Sequence, residues 1–148
     1  MKDQPKSIIY VAPRCTGKTT ALVRLMYNDS VLGLKTAMKA NNSQHLNCIL
    51  RIYKDYINET DRYLLMETEP YFMVGWGWSH TTLDKFDVIY WDDPWVHDKE
   101  DRDLFRTARN MGIRQVMATT PRDDKVNKFF DKNPKDFELK RLPNMRSV

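Results

Sequence analysis

Ala12-Pro13-Arg14-Cys15-Thr16-Gly17-Lys18-Thr19 lies between a short apolar run, Ile8-Ile9-Tyr10-Val11, and a helix-compatible stretch, Ala21-Leu22-Val23-Arg24-Leu25-Met26. These residues have the form of a phosphate-binding P-loop in which Ala12 stands where the first Gly is usual. A strand that enters a tight loop and leaves as a helix aims several backbone N–H groups at one point, and the helix dipole adds positive potential there. On that reading the nucleotide-binding set is Ala12, Pro13, Arg14, Cys15, Thr16, Gly17, Lys18, Thr19 and Thr20. Gly17 lets the backbone approach a phosphate oxygen, Lys18 reaches the β- and γ-phosphates, and the Thr19 hydroxyl ligates Mg²⁺. The bland alternative is a solvated loop with an incidental Gly-Lys-Thr.

With 148 residues, the simplest expectation is one domain spanning residues 1–148, large enough for a substantial core. No apolar run is long enough to span a bilayer, and no signal-peptide core follows Met1–Lys6, so a membrane is not an expected partner. Cys15 and Cys48 are the only cysteines and one sits in the loop, which argues against a disulfide framework or a Cys-based zinc site. A reducing cytoplasm is the expected compartment. The net charge of +4 is uneven: residues 1–40 and 122–148 are net basic, and 41–121 are net acidic. Basic ends permit nucleic-acid contact without demanding it.

The element pattern works outward from the loop. A strand is predicted at 7–12, a helix at about 18–28 and a short strand at 31–34. Leu46, Ile49, Leu50, Tyr53 and Tyr56 recur at helical spacing over 43–56. Arg62–Glu67 and Tyr71–Trp76 read as strands with Glu69-Pro70 as the turn between them. Val88-Ile89-Tyr90-Trp91 reads as a buried parallel strand ending in Asp92-Asp93. A helix at about 99–111 capped by Asp98, a strand at 113–119, a helix at about 123–131 and an edge strand at 137–142 complete the chain. Strands alternating with helices predict an α/β fold with a mainly parallel central sheet flanked by helices. Ligands bind beyond the carboxyl ends of such strands, where the loop, Asp92-Asp93 and Thr119-Thr120 all fall.

That constellation suits phosphoanhydride hydrolysis. Asp92 fits the Walker B role of holding Mg²⁺ with Thr19, and Asp93 fits a general base or water-orienting group. Thr119 or Thr120 would hydrogen-bond the γ-phosphate or the water. A turn after a strand is the simpler account of Asp92-Asp93 taken alone.

The arrangement resembles the ATPase domain of viral large terminases, the motors that package DNA into phage heads and P-loop NTPases of the additional-strand catalytic-glutamate type. Ala12, Arg14, Gly17, Lys18 and Thr19 fit their loop, Val88–Asp93 their Walker B strand, and Ala118-Thr119-Thr120-Pro121 their coupling motif. The resemblance implies an ATPase with ATP and Mg²⁺ as cofactors, and Asp93, Arg14, Lys18 and Thr120 as catalytic residues. It also implies double-stranded DNA as partner, a homo-oligomeric ring, and a viral portal or separate nuclease alongside, in the host cytoplasm. Two departures stand out. The usual Glu after the Walker B Asp is Asp93, one methylene shorter, so a water placed for Glu would sit about 1 Å too far away. A terminase also continues into a nuclease domain, for which residues 1–148 leave no room. A non-hydrolysing nucleotide switch or accessory protein, and a small P-loop kinase, are the competing readings.

The remaining residues carry weaker signals. The resemblance implies that Arg14 stabilises the transition state in cis, with a phosphate-loop salt bridge as the plainer role. Arg102, Arg106 and Arg109 recur at helical spacing, either as a source of an arginine finger or as a solvated basic face. Gln4 would contact adenine or, as a Gln in a polar N-terminus, do nothing, and Trp76 and Trp78 would stack on bases or pack an edge strand or an interface. His45, His80 and His97 have no metal-ligand spacing and receive no role.

Overall fold

The computed structural model describes residues 7–59, 62–74, 83–94, 99–121, 128, 130–132 and 135–148. Six strands form one sheet: β1 (Ser7–Val11), β2 (Thr36–Ala40), β3 (Tyr71–Val74), β4 (Val88–Asp92), β5 (Arg114–Thr119) and β6 (Phe137–Arg141). Their spatial order is β3-β2-β4-β5-β1-β6, and every pairing is parallel. Helices α1 (Lys18–Val31), α2 (Ser43–Asn58) and α3 (Lys99–Asn110) connect them, with a 3-10 turn at Arg62–Leu65. The chain is therefore α/β with a parallel sheet flanked by helices, as its strand–helix alternation predicts.

Side-chain alternation along the strands decides the layers. Ile8, Val88, Tyr90, Val116 and Ala118 face one side and pack with Ala21, Leu22, Val23 and Met26 of α1 and Ile49 of α2. Ile9, Val11, Ile89, Trp91 and Met117 face the other and pack with Leu104, Phe105 and Ala108 of α3. Both faces being covered, β4 is buried at every residue, which is why it reads as an unbroken apolar run. Each fully buried Leu, Ile or Met contributes about 1.5–3 kcal/mol relative to exposure.

Two predicted elements are corrected. Residues 31–34 are not a strand: Val31 ends α1, Leu32 caps it, and Gly33 turns the chain at φ 88°. The strand lies instead at Thr36–Ala40, wholly buried although it contains Lys39. The Lys39 ammonium is neutralised by Asp101 of α3 at 3.4 Å and donates to the Ala40 carbonyl at 3.1 Å. Arg62–Glu67 is not a strand either. Tyr63, Leu64 and Leu65 are exposed on the 3-10 turn, so this apolar run has no buried alternate face. Glu69-Pro70 consequently turns no hairpin, and β3 runs parallel to β2. The helix expected at 123–131 falls largely outside the described residues, as do Asp98, Gln4, Trp76, Trp78, His80 and His97.

The final segment returns to the loop. The Leu142 amide donates to the Val11 carbonyl at 2.8 Å and the Met145 amide to the Thr16 carbonyl at 2.9 Å. Met145 is fully buried against the α1 side of the core, and Arg24 of α1 donates to the Val148 carbonyl at 2.6 Å.

Candidate functional site

The loop is built by two left-handed residues. Cys15 at φ 59° and Gly17 at φ 85° turn the chain sharply between β1 and α1, and Gly17 is the N-cap of α1. A Cβ on Gly17 would meet only Arg146 Cγ at 3.6 Å, so the position favours glycine for its backbone angle and not for space. The Ala12 amide donates to the Thr119 carbonyl at 3.0 Å, which fastens the loop's start to β5. Thr16 Oγ1 donates to the Pro13 carbonyl at 2.5 Å. Lys18 arches back over the loop and its ammonium donates to the carbonyls of Pro13 at 2.8 Å and Ala12 at 3.3 Å. Burial lowers the Lys18 pKa from its ordinary value, while the Asp93 and Asp92 carboxylates pull it up. The lysine therefore shares an electrostatic site with both acids.

Across the sheet edge, Asp92 is 3% exposed. Its Oδ2 accepts two hydrogen bonds, from Thr19 Oγ1 at 2.7 Å and from His45 Nε2 at 2.8 Å. The Thr19 proton is thus committed to Asp92, which leaves the hydroxyl lone pairs free toward a cation. Asp93 follows with φ 51°, a left-handed angle that Asp adopts more readily than most residues. Its amide donates to the Ala118 carbonyl at 2.8 Å, and its Oδ1 accepts from Thr119 Oγ1 at 3.1 Å. Asn41 Nδ2 donates to the Asp93 carbonyl at 2.8 Å.

The structure thus gathers Lys18 and Thr19 from α1, Asp92 and Asp93 from the end of β4, and Thr119 from the end of β5. Thr119 meets Asp93, whereas Thr120 Oγ1 is buried without a hydrogen-bond partner among the described residues. Arg14 is exposed at the loop tip and makes no hydrogen bond or ion pair with a described residue; Thr20 is exposed on the first turn of α1. On α3, Arg102 and Arg106 are exposed, Arg106 lying 3.8 Å from Asp103, while Arg109 pairs with Asp136 at 3.4 Å.

Sequence reading gave no role to His45 or Asn41. Both follow β2, which lies beside β4, and that adjacency brings His45 to the Asp92 carboxylate and Asn41 to the Asp93 main-chain carbonyl. The available local signal was Asn42, whose Oδ1 accepts from the His45 amide at 2.8 Å and caps α2.

Among the described residues no three His, Cys, Asp or Glu side chains converge as a metal cage. A cation held by one hydroxyl, one carboxylate and the oxygens of a bound phosphate does not need such a cage, and this donor set is the kind Mg²⁺ accepts. The residues fit a metal–phosphate ligand. No protein-family model matches the chain, and no curated protein matches it.

Proposed function

We propose that this chain binds ATP with Mg²⁺ at the loop and hydrolyses it, as a terminase-like motor domain acting on double-stranded DNA during viral packaging. One observation carries the reading. Thr19 of the loop helix and Asp92 of β4 are 73 residues apart, yet share a hydrogen bond of 2.7 Å at the carboxyl edge of the sheet. The strand order adds support, since β5 is inserted between β1 and β4, an additional strand of the kind that names the class.

Each residue has work that its position suits. The loop amides and the α1 N-terminus receive phosphate oxygens, and Lys18 exchanges carbonyl partners for phosphate ones. Thr19 and Asp92 hold Mg²⁺, which when bound neutralises charge on the phosphates. Asp93 orients a water for attack on the γ-phosphorus and takes its proton as the bond to the β-phosphate breaks. Thr119 holds Asp93 in place. Arg14, exposed at the tip, is free to turn toward the transferring group. By the same resemblance the working form is a homo-oligomeric ring that engages a viral portal.

Steady-state ATP hydrolysis tests the proposal, measured with and without double-stranded DNA at several protein concentrations. Turnover that rises with both DNA and protein is expected. Tight MgATP binding without turnover would instead favour a nucleotide switch, a reading to which the short Asp93 side chain, engaged by Thr119, already lends weight. A small P-loop kinase draws no support from the inserted strand, and ATP loss only with an added acceptor metabolite would be needed to revive it.

A further inference from the structure

We propose that His45 is a positioning residue for the metal-side carboxylate, set in a clasp with Asn41 that orients both members of the Asp92-Asp93 pair. The inference rests on the nucleotide-site reading above and extends it to residues outside the P-loop and carboxylate motifs.

The imidazole is fixed at both nitrogens. His45 Nδ1 accepts the Asn41 amide proton at 3.0 Å, so the neutral ring carries its own proton on Nε2. That proton points at Asp92 Oδ2, 2.8 Å away. The backbone at His45 is held as well, because its amide donates to the Asn42 cap. The ring is therefore a directed donor on a rigid helix start. Its partner, the Asp92 side chain, is 4% exposed, while the His45 side chain is 21% exposed.

The consequence for Asp92 is geometric. Thr19 from α1 and His45 from α2 both donate to Oδ2, and Oδ1 accepts no hydrogen bond from a described residue. Two donors on one oxygen, arriving from different helices, fix the carboxylate plane and present Oδ1 to a cation or its water. Outer partners that orient a ligand in this way commonly contribute 10–100-fold to metal affinity. The same turn acts on the next residue: Asn41 Nδ2 holds the Asp93 carbonyl at 2.8 Å, where the backbone is left-handed. One segment of five residues, 41–45, thus sets the side chain of the first acid and the backbone of the second.

A merely structural histidine would satisfy a buried carboxylate and affect stability alone. The two roles separate in a titration of Mg²⁺ against a fluorescent ATP analogue, run for wild type, His45→Ala and His45→Gln, with parallel titrations in EDTA. In His45→Ala the Mg²⁺ concentration for half-maximal binding should rise about 10–100-fold, with metal-free binding unchanged. His45→Gln, whose amide also donates, should recover most of the loss. An unchanged Mg²⁺ dependence in a His45→Ala protein that binds the analogue overturns the inference alone. Failure of the wild type to bind the analogue at all overturns the nucleotide-site reading, and this inference with it. A second measurement needs no variant and no nucleotide: ¹⁵N–¹H NMR of the His45 ring should give the Nε2–H tautomer, and an Nδ1–H tautomer overturns the clasp.

Discussion

Asp93 is fastened to β5 twice: its Oδ1 accepts the Thr119 hydroxyl at 3.1 Å, and its amide donates to the Ala118 carbonyl at 2.8 Å. Backbone and side chain of the proposed base are thus referred to one strand, which also receives the Ala12 amide of the loop through the Thr119 carbonyl. Thr119→Val removes the hydroxyl while keeping the shape. Hydrolysis should fall by at least about tenfold, a modest share of what positioned proton transfer contributes, with MgATP affinity unchanged. Single-turnover kinetics beside equilibrium binding would check it, and an equal loss of affinity would contradict the assignment.

Lys18 works against the fold in which it sits. Burial lowers its pKa from 10.5, so its charged form is less stable in the folded than in the unfolded chain. Lys18→Met should bind ATP at least about 100-fold more weakly and yet melt no lower than wild type near neutral pH. The sign fixes the pH trend. Between the lowered folded value and the unfolded 10.5 the unfolded chain binds more protons, so wild-type stability should rise relative to Lys18→Met as pH climbs through that window. Thermal melts of both proteins across alkaline pH test this.

At Asp93 the backbone restricts the replacements. Asn tolerates φ 51° as well as Asp does, so Asp93→Asn should fold and bind nucleotide normally while losing hydrolysis. Asp93→Glu gives the side-chain length that terminases use, but places a longer side chain on a left-handed residue and displaces it from Thr119. It should lose on the order of 1 kcal/mol of stability and turn over more slowly than wild type. Turnover equal to or above wild type would show that a carboxylate set for Glu geometry is tolerated here.

The buried pair behind the site makes a stability prediction. Lys39 and Asp101 are 3% and 4% exposed and 3.4 Å apart. Asp101→Leu removes the carboxylate from a buried ammonium and should cost about 3–5 kcal/mol. Lys39→Met combined with Asp101→Leu should recover most of it, since an apolar pair of similar volume avoids the desolvation of both charges. Urea unfolding of the two variants distinguishes them.

What the sequence revealed depended on how local the code was. The loop, its flanking strand and helix, and the apolar β4 with its terminal acids are each specified within about ten residues, and as elements of structure they stand where they were read. β2 escaped because a buried lysine interrupts its apolar pattern, and the Asp101 that pairs with Lys39 in the core sits on a helix distant in sequence. Residues 62–65 misled in the opposite way, with Tyr63, Leu64 and Leu65 offering apolar side chains that stay largely exposed among the described residues. His45 was invisible for a topological reason. Its partner Asp92 is 47 positions later, and only the strand order, with β2 beside β4, brings the two together.

The same strand order sets a timetable. β1 leaves the ribosome first among the strands, but its two sheet neighbours are β5 and β6, the last to be made. The Thr16 carbonyl likewise waits for the Met145 amide, and the Ala12 amide for Thr119. During synthesis the Gly-Lys-Thr loop is therefore an early segment without a frame, and its strand lies unpaired until more than a hundred further residues have emerged. Contacts this distant in sequence close slowly. A nascent chain stalled before β5 would carry the entire Gly-Lys-Thr signature with no strand beside β1, so the loop gains its frame late and all at once.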